Sequence, residues 1–436
     1  MVSRTEKNTA RGLDEVLELT VDDPAHGGAC VARDPSSRVV FVRHALPGER
    51  VRARITSAQK RLAWADAIEI LDASEDRVES VWPQAGPGGV GGGELAHVAP
   101  AAQRTWKAHV VASQLRRIAG ESLSQEVANL GGVQVQAAPG DEDPSDPLTH
   151  RRSRIELVID ANGHAGMHRF RSSEVVALDA MPLAVESISA LGLFDAHSPL
   201  ARLWHPGDRL RVVAPNGQDP VLVTPRGVFC ADGQPLAAEV LHWDVGTRTR
   251  GTFRYGVSPS GFWQTHIRGA EALLDSVDRA SHVENGASVV ELYSGAGLFT
   301  RLFAERVGDS GEVVSLEGAE EAVRNAGDTL ARFPAVSAFH GQVDRLGVAE
   351  LGAQLRSTRP DVVVMDPPRS GAGRGVCEAV AQLGAERIVL VSCDPAAGAR
   401  DLRTLVEAGY RVASLEAWDL FPHTHHVETV AELLRG

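Results

Sequence analysis

Hydrophobic and polar positions change their period along the chain. From Glu15 to about Asp72 they alternate in short runs: Leu17–Val21, Arg38–Val42, Glu49–Ile55 and Trp64–Ile70. Gly27-Gly28, Asp34-Pro35 and Pro47-Gly48 separate them. Period-two alternation broken by turn formers predicts half-buried strands, and several in succession predict a small OB-like barrel. Ala101–Ile118 reads as a helix stopped by Gly120. Ile155–Ile159, an Asn162-Gly163 turn and a return strand through Met167–Arg171 predict a hairpin. Further strands are expected near Leu210–Ala214, Val221–Thr224 and Gly227–Phe229. From about Gly256 the pattern becomes apolar strand, glycine turn, helix, repeated to the end, which predicts a doubly wound α/β unit. The expected fold class is therefore α/β, in three parts: a barrel over 1–73, a mostly β central domain with helices at its edge over 74–255, and a Rossmann-like domain over 256–436. Residues 1–12 are polar and expected to fray. The glycine-dense stretch Gly86–Gly93 reads as a flexible loop.

The totals narrow this picture little. A chain of 436 residues, 43% of them hydrophobic, can fill more than one core. A formal net charge of −13 excludes a polycation but leaves room for local basic patches. Arg50, Arg52 and Arg54 share one strand face, read in preference as a solvated face. Arg151, Arg152, Arg154, Arg169 and Arg171 cross one hairpin and form the strongest basic cluster. The four cysteines are scattered without a CxxC pair, against a disulfide framework or a cysteine zinc site. Reduced thiols fit a cytoplasmic setting. The polar N-terminus is no signal peptide, and no apolar run is long enough to span a bilayer.

Candidate chemistry gathers at the carboxyl ends of expected strands, where open α/β sheets bind ligands. Ile388–Ser392 ends in Cys393-Asp394-Pro395, Asp361–Met365 in Asp366-Pro367-Pro368-Arg369, and Ser288–Leu292 in Tyr293-Ser-Gly295-Ala-Gly297. Glycines before a helix let the backbone approach a ligand closely. Glu317, ending the next strand, is placed to bind ribose hydroxyls. Two prolines after Asp366 fix a rigid turn that presents carbonyls and a carboxylate to a flat polar ring. Cys393 is a candidate nucleophile needing only modest activation, because sulfur is intrinsically strong. Cys377, within the helical stretch Val376–Leu383, reads as packing. Glu428, opening the last strand, is a candidate general base. His423, His425 and His426 invite a metal reading that lacks a matching ligand set elsewhere.

Together these residues resemble the RNA uridine-C5 methyltransferases, which use S-adenosylmethionine. The likeness spans nearly the whole chain: 15–72 resembles the family's RNA-binding TRAM domain and 256–436 its catalytic domain. Phe262-Trp-Gln264 matches a Phe-x-Gln motif. The resemblance implies that Gln264, Tyr293, Glu317 and Asp366 contact the cofactor, with Asp366 between cofactor and base. It implies that Phe262 holds the target uracil, that Gln342 or Asp344 faces the adenine, and that Cys393 is the nucleophile and Glu428 the proton acceptor. The partner it implies is tRNA or ribosomal RNA, with barrel and hairpin arginines reading phosphates and shape. No membrane contact is expected, and a monomer is the default. Many relatives carry four cysteines for an iron–sulfur cluster. Val81–Leu95 holds none and Met181 stands at the fourth place, so no cluster is predicted. His266 replaces the asparagine of many relatives. Three rivals remain. They are an amino-methylating enzyme, which needs neither Cys393 nor Glu428, a non-catalytic RNA-binding module, which need not hold the cofactor, and an NAD-type oxidoreductase.

Overall fold

A computed structural model describes residues 13–195, 197–237, 240–248 and 250–436. The polar stretch 1–12, read above as frayed, lies outside them. Strands β1 (Val16–Ala25), β2 (Ala29–Arg33), β3 (Val39–Arg43), β4 (Arg50–Ala58) and β5 (Leu62–Asp72) close a barrel in the order β1-β2-β3-β5-β4. Val40, Val42, Val51, Ala53 and Ile55 fill its interior, and the alternate positions point outward. On β4, Arg50 pairs with Glu18 and Asp72, and Arg52 with Glu69. Two of that face's three arginines are thus neutralised across the strands, and Arg54 is exposed.

Helices α1 (Pro100–Gln114) and α2 (Glu121–Asn129) are joined by a wider turn ending at Gly120, whose φ of +99° suits glycine. These helices and β6 (Val135–Ala137) do not edge the central region. They dress the C-terminal sheet, whose core takes in Val111, Leu115, Leu123 and Val127.

The central region is an antiparallel sheet of β7 (Arg154–Ile159), β8 (Ala165–His168), β9 (Val175–Ala177), β10 (Arg209–Val213), β11 (Val221–Thr224) and β12 (Gly227–Phe229). The short helix α3 (Glu186–Ser189) lies between β9 and β10 in the chain, and the strand order is β12-β11-β10-β7-β8-β9. Trp82, Val90, Met181 and Leu183 pack with Ile155 and Leu157. The segments around Val81–Leu95 and Met181 thus meet in an apolar core.

Two expectations are corrected here. The hairpin arginines are not an open basic patch. Arg151 pairs with Asp141 and Asp146 of the acidic loop, and Arg169 with Glu174. Arg152 donates to the Gly92 carbonyl and Arg154 to that of Gly261, both at 2.6 Å. These bonds also account for the second correction, because 86–93 is held rather than loose. Arg169 reaches the Gly88 carbonyl, Gly88 N–H donates to Asp66 at 3.1 Å, and a β-carbon at Gly89 would lie 2.1 Å from the Gln84 carbonyl oxygen. A loop without ladder bonds needs such donors for its carbonyls. Sequence proximity had grouped the guanidinium groups by charge, but the fold spends them one by one on carboxylates and carbonyls.

The C-terminal unit begins with the hairpin β13 (Leu241–Thr247) and β14 (Gly251–Val257). It continues through α4 (Gly269–Ser281), β15 (Ser288–Leu292), α5 (Leu298–Val307), β16 (Glu312–Glu317), α6 (Glu320–Leu330) and β17 (Val336–His340). Then come α7 (Arg345–Gly352), β18 (Val362–Met365), α8 (Arg374–Leu383), β19 (Arg387–Ser392), α9 (Pro395–Glu407), β20 (Tyr410–Asp419) and β21 (Glu428–Arg435). The sheet runs β17-β16-β15-β18-β19-β21-β20-β6. Strands β15 to β19 are parallel, and β21 returns antiparallel beside β19. The order reverses between β15 and β18, so a crevice opens at their carboxyl ends. Cys377 lies in the core beneath, as packing. No described helix is long and apolar enough to cross a membrane.

One ion pair ties α1 to the end of β20. Lys107 is fully enclosed, pairs with Asp419 and donates to the Phe421 carbonyl at 3.0 Å. Burial pushes the ammonium pKa down, and Asp419 opposes that push. Lys107→Ala would leave a buried carboxylate without its counter-charge. A loss of about 3–5 kcal/mol of stability is expected, read from the urea unfolding midpoint. An unchanged midpoint would remove this pair from the account of the fold.

Candidate active site

Three strand ends and one returning strand build the site. At the end of β19, Asp394 caps α9 by accepting from Ala397 N–H at 2.8 Å, and Pro395 supplies the first helical residue. Cys393 is held between the strand and this cap. Strand β21 runs beside β19 with Thr429 opposite Ser392, which brings Glu428 next to the thiol. At the end of β15, Tyr293, Gly295 and Gly297 have φ of +62°, +53° and +81°. A tyrosine in left-handed backbone is uncommon and marks a tightly specified turn. Glu317 secures it. Its carboxylate accepts from Gly295 N–H at 2.8 Å and from Ala319 N–H at 2.7 Å, and carboxylate lone pairs remain for other donors.

Seven of the residues singled out from the sequence line one cavity of about 590 Å³: Phe262, Gln264, Tyr293, Glu317, Asp366, Cys393 and Glu428. Phe262 stands at the rim with 71% of its surface exposed, while Gln264 is buried. Among the described residues, the side chains of Gln264, Asp366, Cys393 and Glu428 have no hydrogen-bond partner in the protein. Gln264 and Glu428 are buried, Asp366 and Cys393 half-buried, and polar side chains left without protein partners around one cavity point to a ligand.

Gln342 and Asp344 are not among them. They line a neighbouring hollow with Phe339 and Leu346, and the Asp344 carboxylate caps α7 through Leu346 N–H and Gly347 N–H, both at 2.9 Å. Strand β17 lies one strand too far from the switch point. Ala322 and Asn325 of α6 line the cavity instead.

Electrostatics corrects the expectation of a modestly activated thiol. Burial, then Glu428 and Asp366, push Cys393 up to about 12, and Arg369 pulls the other way. Burial pushes Asp366 up to about 7. Burial, then Asp366, raises Glu428 well above the carboxylate range, again opposed by Arg369. Crowded carboxyls relieve their mutual repulsion by taking up a proton. Arg369 is the one cation lining the cavity among the described residues. The sequence offered its attachment to Asp366-Pro367-Pro368 as a signal, without a role.

Beneath the β15 turn the Glu291 carboxyl is buried against Thr300, without a well-formed hydrogen bond to either of its oxygens. Burial pushes Glu291 up to about 8. A raised carboxyl favours the fold below its ordinary pKa and loses that contribution as pH climbs through the folded value. Glu291→Gln is therefore expected to melt ever higher than the wild type as pH rises from about 4.5 to about 8. Calorimetry across that range checks it, and a constant gap would show that Glu291 does not titrate with folding.

Of the three C-terminal histidines, His425 and His426 lie ring to ring at 4.2 Å and His423 bonds elsewhere. His423 Nδ1 accepts from the Gln103 amide and its Nε2–H donates to the Pro147 carbonyl, His425 lies 3.7 Å from Glu94, and His426 packs on Phe421. No group of side chains able to hold a metal ion is found among the described residues. His266 bonds Asp141 at 2.9 Å and anchors the acidic loop. One neighbour carried no sequence signal. His26, in the β1–β2 turn of the barrel, reaches the Asp394 carboxylate at 3.3 Å. Burial alone would raise Asp394, but the bonds from His26 and Ala397 N–H bring it to about 2.

Known proteins place this arrangement. A TRAM domain model matches residues 13–68, and a tRNA (Uracil-5-)-methyltransferase family model matches 335–435. The chain is 39% identical to an RNA methyltransferase of Streptomyces avermitilis, over 97% of this chain and 98% of that one. It is 31% identical to the 23S rRNA (uracil(1939)-C(5))-methyltransferase RlmD of Halomonas elongata, over 95% of this chain and 88% of that one. Its fold resembles the crystal structure of Pyrococcus abyssi tRNA (uracil-54, C5)-methyltransferase in complex with S-adenosyl-L-homocysteine. The TM-score is 0.64 at 21% identity, over 96% of this chain and 100% of that one. Barrel, switch-point cavity and end-to-end similarity agree: the chain belongs to the tRNA (uracil-5-)-methyltransferase family of RNA methyltransferases.

Proposed function

We propose that the protein transfers a methyl group from S-adenosylmethionine to C5 of a uridine in structured RNA, through a bond between Cys393 and C6 of the base. The observation that carries this reading is the convergence of uncommitted Gln264, Asp366, Cys393 and Glu428 on one cavity rimmed by Phe262. The named activities of the Halomonas and Pyrococcus relatives support uracil-C5 chemistry, on ribosomal and transfer RNA respectively.

The residues fit a nucleoside cofactor. A β-carbon at Gly295 would project into open space, so the glycine leaves the turn clear for a ligand. Tyr293 and the backbone at Gly295 and Gly297 would line the methionine end, Glu317 would accept from ribose hydroxyls, and Gln264 would contact the cofactor's polar groups. When bound, the cofactor supplies an electrophilic methyl group on a sulfonium, which C5 takes up.

The chain's own groups make C5 ready. Phe262 stacks the extruded uracil, whose exit from RNA stacking is needed for any side chain to reach the ring. Cys393 gives up its proton to solvent, and its sulfur adds to C6. The ring electrons move toward the C4 carbonyl oxygen, which leaves C5 nucleophilic. Asp366 lies between cofactor and base, and the Arg369 charge favours both the thiolate and the electron-rich ring. Once C5 carries the methyl group, Glu428 accepts the C5 proton, the C6–sulfur bond breaks, and the C5–C6 double bond returns with the thiolate. Covalent catalysis divides one difficult substitution into easier steps. An amine-methylating enzyme has no use for a cysteine and a glutamate placed together.

In this reading residues 1–73 and 74–255 hold RNA and 256–436 carry out the chemistry, with 100–137 bracing the catalytic sheet. The protein works as a monomer in the cytoplasm and needs no iron–sulfur cluster. The test is nucleoside mass spectrometry of fractionated tRNA and ribosomal RNA from a deletion strain. Loss of one 5-methyluridine, restored by the wild-type gene, is expected. An unchanged 5-methyluridine content overturns the proposal.

A further inference from the structure

The barrel and the central sheet meet in a ladder of rings and guanidinium groups. At its base, buried Arg43 pairs with Asp66 through two bonds of 2.8 Å, and its guanidinium lies 3.8 Å from the Phe170 ring centre. Arg171 follows, 5.2 Å from the Phe170 ring and 4.3 Å from that of Trp64. Trp64 packs on Phe41 at 4.9 Å, its register neighbour on the parallel pair β3 and β5. Four of the five hairpin arginines are committed to carboxylates or carbonyls. Arg171 is exposed and makes no ion pair or hydrogen bond among the described residues, although its backbone is held at φ +54°. Holding a bulky residue in left-handed backbone costs energy, and here it keeps a free cation over an indole. Lys60 and Arg61 are also exposed, in the turn that leads into β5.

The platform adjoins the catalytic turn. Gly27 sits against Trp64, with a β-carbon there 4.0 Å from the indole, and the preceding residue His26 reaches Asp394 beside Cys393. One short turn of the barrel thus separates the stacked rings from the nucleophile. We propose that Trp64, Phe41 and Arg171 form a stacking platform for an unpaired nucleotide of the same RNA strand, adjoining the target uridine. This rests on the uridine-C5 reading and adds the path of the strand beyond the cavity. Aromatic faces take any base, and a guanidinium beside them suits the phosphate that follows. On a chain of net charge −13, a cation without an ion pair lowers the repulsion that a polyanion meets there.

Trp64→Ala, Trp64→Phe and Arg171→Ala, each in the full chain, test this with a uridine-containing stem-loop RNA. Fluorescence anisotropy gives RNA affinity, steady-state kinetics gives KM for RNA, and calorimetry gives cofactor affinity. Trp64→Ala and Arg171→Ala are expected to weaken RNA binding about 10-fold and raise KM in step, with cofactor affinity unchanged. Trp64→Phe should restore most of the affinity, and Arg171→Ala should flatten the salt dependence. RNA affinity unchanged in Arg171→Ala overturns the proposal, whether or not its melting point falls, because the ladder would then only join barrel to sheet. If Trp64→Ala fails to fold, Arg171→Ala decides alone. Wild-type protein that binds RNA but makes no 5-methyluridine would instead sink the uridine-C5 reading, and the binding measurements would still report on the platform.

Discussion

Cys393→Ala is expected to lower methyl transfer by roughly 10⁴-fold or more and to abolish any covalent complex with 5-fluorouridine RNA. Without the thiol, no sulfur adds to C6 and C5 stays unreactive. Fluorine at C5 cannot leave as a proton, so wild-type enzyme should be trapped on such RNA as a band stable to denaturing gels. Cofactor affinity, measured separately, should persist, since Cys393 is one of many groups around the cavity. The resting thiol is held up to about 12 by burial, Glu428 and Asp366. The sign follows: the reactive form is the deprotonated one, so turnover should climb as pH rises from neutral into the alkaline range. Arg369 is the one group that lowers both Cys393 and Glu428 by direct charge. A Cys393→Ala enzyme that still turned over would favour an amine-methylating reaction and end the present account.

Glu428→Gln should fail later in the same cycle. In the proposed cycle the carboxylate acts only after C5 has been methylated, so sulfur addition and methylation should still occur. The variant is expected to accumulate a covalent enzyme–RNA complex on ordinary uridine RNA while turnover falls about 10²- to 10⁴-fold. Gln keeps the volume and removes the base, so packing beside β19 is little disturbed. Glu428 is raised by burial and by Asp366. As a base it works ionised, so it adds to the rise of activity with pH, and the variant's profile should be flatter. Mass spectrometry of the complex supplies the decisive readout. A methylated adduct supports the assignment, whereas free, fully methylated RNA released at the wild-type rate removes Glu428 from the role.

The strand ends of the site were legible because their chemistry is local. Cys393 before Asp394-Pro395, Asp366 before two prolines, and Tyr293 before Gly295 and Gly297 each announce a strand stopped by a specified turn. Parallel strands then bring such turns to one sheet edge whatever the distance along the chain. The same locality misled elsewhere. Asp344 follows β17 as Glu317 follows β16, yet it only caps α7. The hairpin arginines looked like one basic patch, yet four of them serve partners as far away in sequence as Gly92 and Gly261. His26 had no signal at all.

By itself, the order of residues determined the succession of barrel, β region and α/β unit, because alternation and glycine-broken apolar runs are properties of neighbours. It also determined which side chains would stand at the sheet's carboxyl edge. Only the tertiary structure decided which charges remain free, how far burial raises the thiol and its two carboxyl neighbours, and which turn of the barrel touches the catalytic one. Those depend on distances between groups hundreds of positions apart and on how much water the packed chain excludes from around them.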